Sequence, residues 1–322
     1  MRRLCCYSLS LPANGHDALL VQLATSVHSL RAHNTQVDIV VFAYGPFPQD
    51  YAELLAGMHA RVWQMETYAE RLLRLCPSGQ RSLATYPVLH KSLNFAEIAA
   101  LEPEQVLLLD CDTYFRRDVA ELFEKYAEAD LVAREEVGCR RNHHGYDPKL
   151  VDEDELERLA ASMGTRATPP FNLGVILLNH GLWRRLAQLA PLLIAYAWRF
   201  QIWMAANRPE VDSEFGDGWG IDELRGVLST LRPAEVALAL RFPSQNRWIL
   251  DEVALWMTLA HLPNTKFADF LRDDVIQNGE FDADEHNSAW TVCHYFSQNM
   301  SRMESWARDN ERAAASTPTK ES

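Results

Sequence analysis

Four branched aliphatic residues, Val106-Leu107-Leu108-Leu109, run directly into Asp110-Cys111-Asp112. A run this short, apolar throughout and bounded by polar residues, reads as a strand buried on both faces, the kind found in parallel sheets. Ligands in open α/β sheets collect outside the carboxyl ends of such strands. In extended chain, residues two apart point the same way. Asp110 and Asp112 are therefore candidates to present oxygen to one hard divalent cation that bridges a substrate's phosphates, while Cys111 points away. An acidic pair leaving a core strand is also a common solubilising turn, so the rest of the chain has to decide between the two readings.

The surrounding pattern is one of alternation. Leu4 to Leu9 reads as a first strand and Asp17 to Arg31 as a helix, with apolar residues at Leu19, Leu20, Leu23, Val27 and Leu30. Val37 to Tyr44 is a second strand ending at Gly45-Pro46, Tyr51 to Met58 a short helix, and Ala60 to Trp63 a third strand. The spacing predicts a helix over Pro87 to Leu101, a further helix capped by Asp118 and running to Tyr126, and a strand over Asp130 to Arg134. Such β-α-β-α order favours a mainly parallel sheet with helices on both faces. No Gly-x-Gly-x-x-Gly follows the first strand and no Walker A sequence occurs, so neither the dinucleotide fingerprint nor the P-loop is supported.

Two segments are irregular. Gly138 to Pro170 is polar, contains Arg140, Arg141, His143 and His144, and reads as an excursion over the active face with an acidic helix start at Val151 to Glu155. The two histidines are expected to point apart, as solvated loop residues. The stretch from Arg208 to Asn246 suits a mobile loop, and the tail over residues 313–322 a disordered segment. We read residues 1–312 as a single domain in two halves, over about 1–135 and about 136–312.

Charge and cysteine usage narrow the partners. With 31 Lys and Arg against 44 Asp and Glu the chain carries a net charge of −13, which argues against a nucleic-acid-binding surface. A diphosphate entering so acidic a protein needs charge neutralisation. No apolar stretch approaches the roughly 20 residues that span a bilayer, and the N-terminus reads as a core strand rather than a signal peptide. The six cysteines show no Cys-x-x-Cys spacing and form no disulfide framework, so a cytoplasmic location is expected.

Further segments follow in an order that resembles the retaining family-8 glycosyltransferases. Asp110-Cys111-Asp112 is similar to their Asp-x-Asp motif, and Phe171-Asn172-Leu173-Gly174 to their Phe-Asn-x-Gly strand. Asp251-Glu252-Val253-Ala254-Leu255 resembles the Asp-Gln-x-x-Leu helix start, and His294-Tyr295-Phe296-Ser297 the late His-Phe-x-Gly segment whose histidine completes the metal site. Upstream, Tyr86 to Lys91 is similar to the helix that carries a basic residue to the nucleotide. The resemblance covers roughly residues 4 to 300 and rests on order and spacing more than on any single motif.

That resemblance implies a GT-A fold, a Rossmann-like mixed and mainly parallel sheet, with a nucleotide-binding half over about 1–135 and a half over about 136–312 that completes the metal site and receives the acceptor. It implies Mn²⁺ or Mg²⁺ held by Asp110, Asp112 and His294, with Lys91, Asp110 and Gly174 on the nucleotide sugar. Asp251, Glu252 and Asn172 are the implied catalytic residues. The implied reaction takes a sugar from a nucleotide-diphosphate sugar, a uridine one, to an unidentified glycan or small-molecule acceptor with retention of configuration. Two departures stand out. The Lys-Pro-Trp that ends the family segment is missing, since Gln298-Asn299-Met300 stands there and leaves Lys91 or Arg302 to substitute, and Glu252 replaces the usual Gln. These departures keep open a catalytically inert nucleotide-sugar-binding protein of the same fold. A sugar-1-phosphate nucleotidyltransferase is the remaining alternative, although Leu9 to Gly15 is a poor version of its glycine-rich loop.

Overall fold

In the computed structural model the described residues are 2–11, 17–75, 83, 89–146, 150–207, 249–277, 290–294 and 303. The chain opens with β1 (Arg3–Ser10), α1 (Asp17–His33), β2 (Asp38–Tyr44), α2 (Gln49–Gly57), β3 (Ala60–Met65) and α3 (Tyr68–Leu75). A 3₁₀ turn at Ser92–Asn94 leads into α4 (Phe95–Ala100), β4 (Gln105–Leu109), β5 (Thr113–Phe115), α5 (Ala120–Lys125) and β6 (Leu131–Glu135). The remainder comprises α6 (Glu153–Ser162), β7 (Phe171–Leu178), α7 (Leu182–Gln188), α8 (Ala190–Asn207), α9 (Leu250–Leu259), β8 (Phe267–Asp269), β9 (Val275–Gln277) and β10 (Val292–His294).

Seven strands form one sheet in the order β3-β2-β1-β4-β7-β6-β8. The first four run parallel, whereas β7 is antiparallel to both β4 and β6, and β8 is parallel to β6. The fold class is thus α/β with a mixed, mainly parallel sheet flanked by helices. Burial explains the apolar runs. Along β4, Val106 and Leu108 face a core that includes Leu255 and Trp256 of α9, whereas Leu107 and Leu109 face the opposite core with Leu23, Val27 and Leu30 of α1. A strand covered on both faces has no polar side to alternate with.

Three short strands, in the order β5-β10-β9, make a second sheet beside the carboxyl end of β4. Their pairing sets the site, because β10 runs antiparallel to β5 with His294 opposite Thr113.

Several expectations change. The helix expected from Pro87 is shorter: among the described residues Leu89 to Lys91 form a turn and helical geometry begins at Ser92, while Tyr86, Pro87 and Val88 lie outside them. The strand from Ala60 extends to Met65 because it pairs with β2 as far as Tyr44. The His143 and His144 rings do not point apart but lie with centroids 4.1 Å from each other, in a tight turn where Gly145 N–H donates to His143 Nδ1. The loop expected over Arg208 to Asn246 and the tail over 313–322 lie wholly outside the described residues.

Candidate metal centre

The chain turns sharply after β4, and the turn is held on both sides. Asp110 N–H donates to the Gly174 carbonyl of β7 at 2.8 Å. Thr113 Oγ1 donates back to the Asp110 carbonyl at 2.8 Å and meets Ser26 Oγ at 2.8 Å, which in turn meets Tyr7 OH at 2.8 Å. This buried hydroxyl chain ties the turn to β1 and α1. From β10, His294 Nε2 reaches 3.3 Å from Asp110 Oδ2 and 3.4 Å from Asp112 Oδ1. One ligand atom from each of the three residues lies within 4.8 Å of the others. Cys111 between them is buried in the core on the α1 side.

The electrostatics show what this arrangement favours. Burial works to raise the Asp110 pKa, yet the Lys91 ammonium, with Nζ 2.7 Å from Oδ1, and the His294 ring hold its carboxyl well below the usual range. Burial pushes the Asp112 carboxyl up, outweighing the opposing pull of His294. Burial acts to lower the His294 pKa, but Asp112 and Asp110 overcome it and push the imidazole up to about 9. Two carboxylates here draw positive charge onto whatever sits between them. Two hard oxygens and one imidazole nitrogen this close together fit a divalent cation, which would take the place of the imidazole proton.

Gly174 has a steric role that its position in the sequence did not reveal. A Cβ built on it would fall inside the His294 ring, so the strand backbone itself is the floor on which the imidazole rests. Close approach of this kind is a recurrent use of glycine within strands.

A second cluster of buried polar groups adjoins the first. Lys91 Nζ also donates to the Leu173 carbonyl at 3.2 Å. Asn172 Oδ1 accepts from Gly174 N–H at 2.8 Å, and its Nδ2 donates to Glu136 Oε2 and Glu252 Oε1, each at 3.3 Å. Glu252 Oε1 also accepts from Leu173 N–H at 3.0 Å. Asp251, only 4% exposed at the start of α9, accepts from Glu252 N–H and has its carboxyl pushed up to about 7, chiefly by burial, against the pull of Lys91. The structure therefore brings Lys91, Asp110, Asp112, Asn172, Gly174, Asp251, Glu252 and His294 into one neighbourhood. It adds Glu136, just beyond β6, which the sequence reading did not single out. Glu136 lies just past the strand expected over Asp130 to Arg134, and no motif marks it.

Neither a protein-family model nor a curated protein matches this sequence. Solved structures do show a likeness. A galactosyltransferase, LgtC, in complex with donor and acceptor sugar analogs shares 15% identity at a TM-score of 0.48, over 95% of each chain. Mouse xyloside xylosyltransferase 1 shares 13% at 0.49, over 92% of this chain and 98% of that one. The glycosyltransferase GlyE of Streptococcus pneumoniae shares 14% at 0.45, over all of this chain and 66% of that one. These values describe a distant likeness in the arrangement of elements. Among the described residues no helix is long and apolar enough to cross a membrane.

Proposed function

We propose that this chain is a glycosyltransferase that binds a divalent cation at Asp110, Asp112 and His294 and transfers a sugar from a nucleotide-diphosphate sugar to an acceptor. The observation that carries the reading is the meeting of those three side chains from segments far apart in sequence, at the carboxyl end of a central strand. Bound there, the cation would offset the charge developing on a leaving diphosphate as a Lewis acid. The residues of the chain do the rest. Asp110 and Asp112 supply the anionic oxygens, and Gly174 seats the imidazole of His294. Lys91 neutralises Asp110 and holds the Leu173 carbonyl. Asn172, Asp251 and Glu252 form the wall against which we place the donor sugar, with both carboxyl groups offering oxygen to its hydroxyls and Asp251 facing positive charge at its reacting carbon.

The finer reading is a uridine donor, retention of configuration and a cytoplasmic setting. The order of the motifs supports the first two. Five cysteines that are free and buried (5, 6, 111, 139 and 293) are in keeping with the third. One observation favours a binding protein without turnover. Lys91, a candidate to replace the missing Lys-Pro-Trp lysine, is engaged by Asp110 and Leu173, and Arg302 lies outside the described residues.

Thermal denaturation against nucleoside diphosphates and their sugars, with and without Mn²⁺, tests the donor site. A ligand at about 100 times its Kd adds roughly 2.7 kcal/mol to a native state that alone binds it. A stabilisation that needs both Mn²⁺ and one nucleotide is expected. Donor hydrolysis by the wild type and its loss in Asp112→Asn separate turnover from binding. No shift with any pairing would reduce the aspartates to a polar turn.

A further inference from the structure

Asn172 carries a single side-chain amide, and two buried carboxyl groups converge on it. Glu136 reaches Nδ2 from the segment after β6, and Glu252 reaches it from α9, each at 3.3 Å. They are 7% and 3% exposed, so water does little to separate their charges. Two carboxylates in such proximity and burial do not both stay ionised, because like charges disfavour one another and burial disfavours each. The hydrogen bonds show where the proton belongs. Glu136 has an N–H donor on each oxygen, Gly138 N–H on Oε1 at 3.0 Å and Asn172 on Oε2. Glu252 has both of its donors on Oε1, and its buried Oε2 has no hydrogen-bond partner among the described residues.

We infer that Glu136 and Glu252 hold one proton between them at neutral pH, carried on Glu252 Oε2. The pair acts as a positioning device that fixes Asn172 and, through it, the Gly174 backbone under His294. Neutral Glu252 keeps Oε1 as acceptor for Leu173 N–H and Asn172, while anionic Glu136 anchors the other amide hydrogen. Asn172 Oδ1 is thereby aimed at Gly174 N–H. Other ionisable groups face Glu252 from each side. Asp251 stands on its own helix, Lys91 on the turn before α4, and Cys139, whose thiol burial keeps protonated, beside Glu136. Burial first, then Glu136 and Asp251, push the Glu252 carboxyl well above its ordinary range, against the pull of Leu173 N–H and Lys91. The inference needs neither cation nor donor, and it stands or falls separately from the proposed reaction.

Infrared difference spectroscopy of the metal-free full chain tests it, since the C=O stretch of a protonated carboxyl is resolved from the carboxylate bands. At pH 8, above the Asp251 midpoint of about 7, the wild type should show a protonated-carboxyl band that is lost in Glu252→Gln. In Glu136→Gln, where the like charge is gone, the midpoint at which that band disappears should move to lower pH. A wild type without the band, a band that survives Glu252→Gln, or an unmoved midpoint in Glu136→Gln overturns the inference. Should Glu252→Gln fail to fold, the midpoint in Glu136→Gln decides alone. A side chain that merely fills space would not move that midpoint.

Discussion

Gly174 shows how much one residue governs at this centre. Because a Cβ there would overlap the His294 ring, Gly174→Ala should force the imidazole off its seat or the strand out of register. Overpacking of this kind costs about 1–3 kcal/mol, and the larger loss should fall on Mn²⁺ affinity, measured by calorimetric titration. Unchanged affinity would mean that His294 is not a ligand. Asp251 makes a second prediction. Its carboxyl titrates near 7 in the folded chain against an ordinary 3.8, so between those values the folded state holds a proton that the unfolded state has released. Stability then falls as pH rises through that window and is level above it, by an amount on the order of 4 kcal/mol. Asp251→Asn should flatten the decline in melting temperature between pH 4 and 7. A variant whose curve runs parallel to the wild type would place the proton elsewhere. Asp110 and Asp112 were legible from their own short motif, whereas His294 was expected to join them only through the family resemblance carried by the order and spacing of the motifs. Glu136 was not legible, because nothing in a linear sequence distinguishes a buried acid from a solvated one at a strand exit.

Elements were legible in proportion to how far local pattern fixes them. Strands β1, β2 and β4 are apolar on both faces, and their runs announce themselves. By contrast β5, β9 and β10 are three residues each, too short to carry a period, and exist because they pair with one another. Direction was not legible either: β7 reads like a parallel core strand yet runs antiparallel to β4 and β6, which an apolar run cannot encode. Helix α9 is buried on every side, so it presents no amphipathic stripe. What orients it is Trp256, whose Nε1 donates to the Phe171 carbonyl at 2.9 Å and whose ring meets Phe171 edge-on at 6.1 Å. Trp256→Phe keeps an aromatic ring but leaves that buried carbonyl without its donor, so a loss of about 1–3 kcal/mol is expected. Urea denaturation should show a lower midpoint at unchanged slope. A loss below about 0.5 kcal/mol, the level of an ordinary surface substitution, would mean that the carbonyl is satisfied another way and that packing alone seats α9.

Across the whole molecule, the candidate centre gathers its side chains from the ends of two sheets that share one apolar core. Asp110 leaves the seven-stranded sheet, Asp112 precedes β5, and His294 ends β10 of the smaller sheet. A cation held by all three would cross-link segments far apart in sequence, and in the metal-free chain His294 bears the positive charge itself, its imidazole pushed up to about 9. Exchange of that proton for Mn²⁺ should therefore make binding weaken as pH falls below that value, since the imidazole must be neutral to ligate. Hydrogen exchange reads the coupling directly. Opening of a small peripheral sheet is expected at lower free energy than opening of the central one. Adding Mn²⁺ at pH 8 should slow exchange at Val292 to His294 together with Asp110 to Thr113, and Asp112→Asn should abolish both effects. Protection confined to the Asp110 to Thr113 turn would show a cation bound by the aspartates alone, with β10 acting only as a lid strand over them.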